Sequence, residues 1–71
     1  MTREEWAREF GKRLTRKIKS KNMTQEKLAN VTGISQAAIS KYTLGSSIPS
    51  GYKAFKICKA LNCSIDELTN F

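Results

Sequence analysis

The side chains best suited to covalent chemistry in this sequence are two thiols, Cys58 and Cys63. Five residues apart, they match neither a C-x-x-C redox motif nor the paired spacing of a zinc site. A disulfide is disfavoured in a reducing compartment, so the sequence reads them as buried free thiols acting as small hydrophobes. The chain has no histidine. It also lacks a recognisable nucleophile with its base, a glycine-rich phosphate loop and a metal-ligand set. Enzymatic function is not expected, nor is a metal or other cofactor.

The remaining chemistry is charge. Thirteen Lys and Arg against six Asp and Glu give a net charge of +7. That excess speaks to partners rather than to fold, and the partners it suits are anionic: nucleic acid, an acidic protein or an acidic membrane surface. It is unevenly spread. Residues 1–21 carry eight basic and three acidic residues, whereas 24–45, "TQEKLANVTGISQAAISKYTLG", has only Lys27 and Lys41 as basic residues. The most patterned part of the chain is therefore nearly neutral.

With 71 residues the chain is expected to form one domain, 1–71, burying only about 60% of its unfolded surface. It holds no apolar run long enough for a membrane span or signal peptide, and a cytoplasmic location is expected by default. Apolar residues recur at helical spacing, with no convincing alternation, so an all-α fold is expected. Thr2 and Glu5 form a capping box that opens a first helix, in which Trp6, Phe10, Leu14 and Ile18 recur every four residues on one side. Asn22 ends it, since Asn tolerates the left-handed conformation. Thr24 caps a second helix with Leu28, Ala29 and Val31 inward, and Gly33 stops it. Ser35 caps a third with Ala38, Ile39 and Tyr42 inward, ending at Gly45. "SSIPS" is a loop. Ser50 caps a fourth helix built on Ala54, Ile57, Cys58 and Leu61, and "SIDE" at 64–67 opens a short fifth.

Two short helices joined around a glycine make a helix-turn-helix, with Ala29 as the small residue at the crossing and Gly33 in the turn. Spacing alone leaves a generic helical hairpin as the alternative. The residues add more. "TQEKLANVTGISQAAISKY" resembles the helix-turn-helix of phage repressors of the Cro and lambda-repressor type, the Xre-like family. "FGKRL" resembles that family's first helix, "GSSIPS" the loop after its third, and "AFKICKALNCSIDEL" its fourth and fifth helices. The resemblance covers about 10–70. It implies a compact five-helix lambda-repressor-like DNA-binding domain, whose helices 2 and 3 form the motif and whose helix 3 enters the major groove.

That resemblance places the family's base-reading positions on Gln36, Ala37 and Lys41, with Ser40 as a neighbour. The chemistry suits: Gln can pair with adenine N6 and N7, Lys can donate to guanine, and the Ala methyl can pack on a thymine methyl. It places phosphate contacts on Thr24, Gln25, Ser35, Ser46 and Ser47, and implies that Gln25 braces Gln36. It implies a homodimer on a palindromic operator, with Leu68 and Phe71 as candidate dimer contacts. Double-stranded DNA is thus the expected partner, with a protein partner as the alternative if the chain is antitoxin-like. Where the family often pairs Arg and Glu between helices 1 and 3, this chain has Ile18 and Thr43. Ile18 is expected to fill the space such a pair would take. Leu44 is expected to be buried, and Trp6 to extend the core beside Phe10. The rival reading takes "WAREFGKRLTRKIKSK" as a basic amphipathic helix lying on an anionic membrane or gripped in a protein groove. The other helices need that apolar stripe as their core partner, so no membrane partner is expected.

Overall fold

Each helix begins where a hydroxyl can accept a free amide. The computed structural model describes residues 1–71 and contains α1 (Arg3–Ser20), α2 (Gln25–Thr32), α3 (Gln36–Leu44), α4 (Gly51–Leu61) and α5 (Ile65–Thr69). Thr2, Thr24, Ser35, Ser50 and Ser64 are the N-caps, each accepting from the amide three residues on. Thr2 with Glu5, and Ser64 with Glu67, close full capping boxes. The helix ends are equally local. Asn22, Gly33, Gly45 and Asn62 all take positive φ. At α1, α3 and α4 the next amide bonds back across the corner, Met23 to Ile18, Ser46 to Lys41 and Cys63 to Cys58, at 3.0–3.1 Å. This is the Schellman closure, which satisfies carbonyls that the helix leaves open.

Burial follows the helical periods with informative exceptions. Phe10, Leu14, Leu28, Ile39, Ile57, Leu61 and Leu68 are essentially without solvent contact and draw on all five helices. Trp6 is half-buried and stacks on Phe10 with ring centroids 5.3 Å apart. Phe71 closes over Trp6 at 5.6 Å, and the Arg13 guanidinium lies 5.1 Å from the Phe71 centroid. In α2 the expected inward residue Val31 is half exposed, and Thr32 is buried in its place. The two point about 100° apart around α2, and Thr32 is the one that serves the turn. Its hydroxyl donates to the Leu28 carbonyl at 2.7 Å and accepts from the Ile34 amide at 3.2 Å. Leu68, expected at a subunit contact, is 1% exposed and belongs to the core. The short α5 is held by Leu68, while its other large apolar residue, Ile65, stays 45% exposed.

Helix α1 crosses the end of α3 backbone against backbone. A Cβ on Gly11 would lie 2.6 Å from the Thr43 carbonyl oxygen and 2.7 Å from that of Tyr42. Opposite it, Gly45 (φ +77) faces the Arg8 Cα, which a Cβ would meet at 2.8 Å. The two backbones touch because neither residue carries a side chain.

Ion pairing is sparse: Lys12 with Glu9 at 3.3 Å, and Lys17 with Glu67 at 2.8 Å. Hydrogen bonds from Lys17 and then from the Ser64 amide hold the Glu67 carboxyl down at about 2, against an ordinary 4.5. A depressed carboxylate adds stability that is present above its unfolded value and lost as pH falls through the folded one. In Glu67→Gln, where the capping role survives, the melting-temperature deficit relative to wild type is expected to close between about pH 4.5 and pH 2. A deficit constant across that window would show that the ion pair contributes nothing.

Candidate nucleic-acid interface

Helix α3 is held from one side only. Ile39 and Tyr42 enter the core at 0% and 4% exposure. With those positions fixed inward, the helical period turns Gln36, Ala37, Ser40, Lys41 and Leu44 to the opposite side. Gln36, Ala37 and Lys41 are exposed and Ser40 is half-buried. These four residues thus share one outward stripe, mixing a carboxamide, a methyl, a hydroxyl and an ammonium. Leu44 continues the stripe at 75% exposure, contrary to its expected burial. It lies two residues beyond Tyr42, and the Gly11 contact presses the backbone of α3, not its side chains, against α1.

Two helix N-termini border this stripe. Thr24 accepts from the Lys27 amide and Ser35 from the Ala38 amide, both at 3.1 Å. Those hydroxyls can still donate. The first amides of each helix also lack an intrahelical carbonyl and carry the positive end of the dipole. Gln25 is half-buried. Its Nε2 donates to Thr43 Oγ1 at 3.3 Å, and the Thr43 hydroxyl donates to the Ser40 carbonyl at 2.8 Å. The expected brace from Gln25 to Gln36 is therefore replaced by a tie to the far end of α3. Thr43 presents the acceptor, and Gln36 projects to solvent.

Ile18 is 4% exposed and lines the same shallow hollow as Thr43 and Gln25. It fills the space as the sequence suggested, so the α1–α3 contact is apolar with a neutral hydrogen bond at its rim. No buried side-chain nitrogen or oxygen lacks a partner.

The loop between α3 and α4 carries Ser46, exposed, and Ser47, half-buried. Ser46 Oγ bonds to the Lys41 carbonyl at 3.3 Å. Neither serine brings charge, but the fold does. Arg3 lines the same surface cavity as Ser46 and Ser47, and Lys19 lines the hollow with Thr24 and Gln25. Two α1 cations thus flank the 43–47 end of α3, Arg3 with Glu4 in the same cavity, brought there by the packing of α1 on α3.

No helix is long and apolar enough to cross a membrane. The apolar stripe of α1 required by the membrane reading is occupied: Phe10, Leu14 and Ile18 lie in the core.

Comparison with known proteins agrees with this geometry. The model of a helix-turn-helix family matches residues 12–68. The chain is 41% identical over 56 residues to the cryptic phage CTXphi transcriptional repressor RstR of Vibrio cholerae serotype O1. That match covers 79% of this chain and 50% of the repressor, so the chain spans about half the length of that relative. The fold is similar to the crystal structure of the restriction-modification controller protein C.AhdI from Aeromonas hydrophila. The TM-score is 0.84 at 27% identity, covering 87% of this chain and 94% of the other.

Proposed function

This chain belongs to the Xre-like helix-turn-helix family, and from that premise we propose that it is a transcription regulator, of phage-repressor type, that binds operator DNA by placing α3 in the major groove. The observation that carries the reading is the single outward stripe of α3. Gln36, Ala37, Ser40 and Lys41 have the donors, acceptors and methyl group that base edges can discriminate, while Ile39 and Tyr42 fix the helix from behind.

Phosphates on either side would be held by the Thr24 and Ser35 hydroxyls, the amide of Gln25, and Ser46 and Ser47, reinforced by Lys19 and Arg3. Base contacts specify and phosphate contacts position. That division of labour accounts for a near-neutral reading helix beside a strongly basic α1.

One domain of this size reads a half-site, and a two-fold homodimer matches a palindrome with half-sites one helical turn apart. With Leu68 in the core, the surface offered to a second copy is the exposed apolar set on α4 and α5. Tyr52, Phe55 and Ile65 are 70%, 62% and 45% exposed, and Phe71 adds a smaller edge. Phe55→Glu is expected to leave helicity unchanged and to abolish any concentration-dependent dimer in sedimentation equilibrium.

The direct test is selection from a random duplex library, repeated with Gln36→Ala. Wild type is expected to enrich a palindrome. Gln36→Ala is expected to lose preference at one base pair per half-site, at about 1–3 kcal/mol per contact. Uniform weakening on all sequences would make Gln36 a positioning residue, and no enrichment by wild type at moderate salt would remove the reading.

A further inference from the structure

The corner between α4 and α5 holds both thiols. Asn62 sits at φ 51, its amide bonds back to the Lys59 carbonyl at 3.2 Å, and the Cys63 amide bonds back to the Cys58 carbonyl at 3.0 Å. This pair of bonds is the Schellman closure, which frequently brings the side chains at its two ends together. Here those two ends are Cys58 and Cys63, and Cys63 is close enough to act on the Cys58 thiol. Both line one open apolar groove of about 630 Å³ between α4 and α5. Cys58 is 7% exposed and Cys63 is half-buried, so a small reagent entering the groove meets Cys63 first.

We propose that Cys58 and Cys63 are a redox pair, converted by a low-molecular-weight disulfide into an intramolecular disulfide that ties the last turn of α4 to the start of α5. Nothing in the DNA-binding reading requires this pair. The Cys63 thiolate attacks one sulfur of the small disulfide, whose S–S bond breaks to release one small thiolate. The Cys58 thiolate then attacks the Cys63 sulfur, the protein S–S bond forms and the second small thiolate leaves. The two thiol protons end on the two released thiols, and two electrons pass from protein to reagent. The order of events follows from the environment. Burial, and then the neighbouring Cys63, push the Cys58 thiol up to about 11, so Cys58 is the poorer nucleophile and does not react first. Contact with Cys63 lets it complete the exchange.

The experiment uses mixtures of oxidised and reduced glutathione, followed by alkylation of remaining thiols and mass spectrometry. Wild type is expected to become lighter by two hydrogens, with no alkylatable thiol, and to revert with dithiothreitol. Cys58→Ser is expected to stop at a stable glutathione adduct on Cys63. Cys63→Ser is expected to react at least about ten-fold more slowly, because its remaining thiol is buried. Amide exchange over residues 64–69 is expected to slow several-fold in the oxidised protein. A stable adduct on wild type like that of Cys58→Ser would overturn the proposal, as would a disulfide between two chains or loss of helicity on oxidation. Running Phe55→Glu in parallel keeps the result separate from the dimer: an unreactive wild type with a reactive Phe55→Glu locates the pair under a dimer contact. Two unreactive proteins reject the pair.

Discussion

Gly11→Ala is expected to remove a large share of the protein's stability, lowering the urea midpoint and melting temperature while most of the protein stays folded at room temperature. In most helices this change is favourable by up to about 1 kcal/mol, since glycine is a poor helix former. Here the added methyl would sit 2.6 Å and 2.7 Å from two carbonyl oxygens and 3.1 Å from the Gly45 nitrogen. All three are backbone atoms of the end of α3, so no flexible side chain can move aside. The helices must separate, and overpacking of this kind costs about 1–3 kcal/mol or more. A domain of this length has only about 4–10 kcal/mol to lose. The displaced element is the proposed reading helix, so operator affinity should fall further than the folded fraction predicts. Urea melts and binding titrations on the same sample would measure both. A Gly11→Ala protein as stable as wild type would mean that α1 and α3 do not approach as described.

Phe10→Ala is expected to cost about 3–5 kcal/mol, the range for removing a fully buried aromatic ring. Phe10 is 1% exposed and lies under Trp6, which in turn lies under Phe71. Removing the bottom ring withdraws support from the two above it, and from the end of α5 that Phe71 follows. In a chain this small each kcal/mol moves the melting temperature by roughly 4–8 °C, so the shift should exceed about 12 °C. Trp6 fluorescence should move to the red in the native state of the variant. A melting point within a few degrees of wild type would contradict the burial assigned to Phe10.

The contrast between Gly11 and Phe10 shows what was legible in the sequence. The period that places Phe10, Leu14 and Ile18 inward is written in the spacing. So are the caps, because each is a contact between residues three apart. Gly11 was passed over, although a glycine inside an otherwise strong helix is itself a signal that another backbone comes close. Which backbone comes close is tertiary information. The same limit applies to Gln25, whose partner Thr43 lies eighteen residues away, and to Arg3 and Lys19, whose neighbours are set by the crossing of α1. Thr32 displaced Val31 because a turn needed a hydroxyl, which hydropathy counts as a loss. The burial expected of Leu44 followed its hydropathy, although the period that fixes Ile39 and Tyr42 inward turns it to the solvent side. On the outward stripe of α3, the exposure of Gln36, Ala37 and Lys41 was implied by Ile39 and Tyr42. Its chemistry toward DNA rests on the family.

The replacement of an inter-helix ion pair by Ile18 and Thr43 gives the protein an experimental convenience. Its core contains no charge pair for salt to screen. Added salt should slightly raise the melting temperature by damping the repulsion within a +7 chain. Binding to DNA, by contrast, should weaken steeply with the same salt as counterions return to the phosphates. The two responses have opposite sign. A complex of this protein with DNA should therefore dissociate with ionic strength alone while its fold tightens. The slope of log affinity against log salt would then count phosphate contacts without a correction for unfolding.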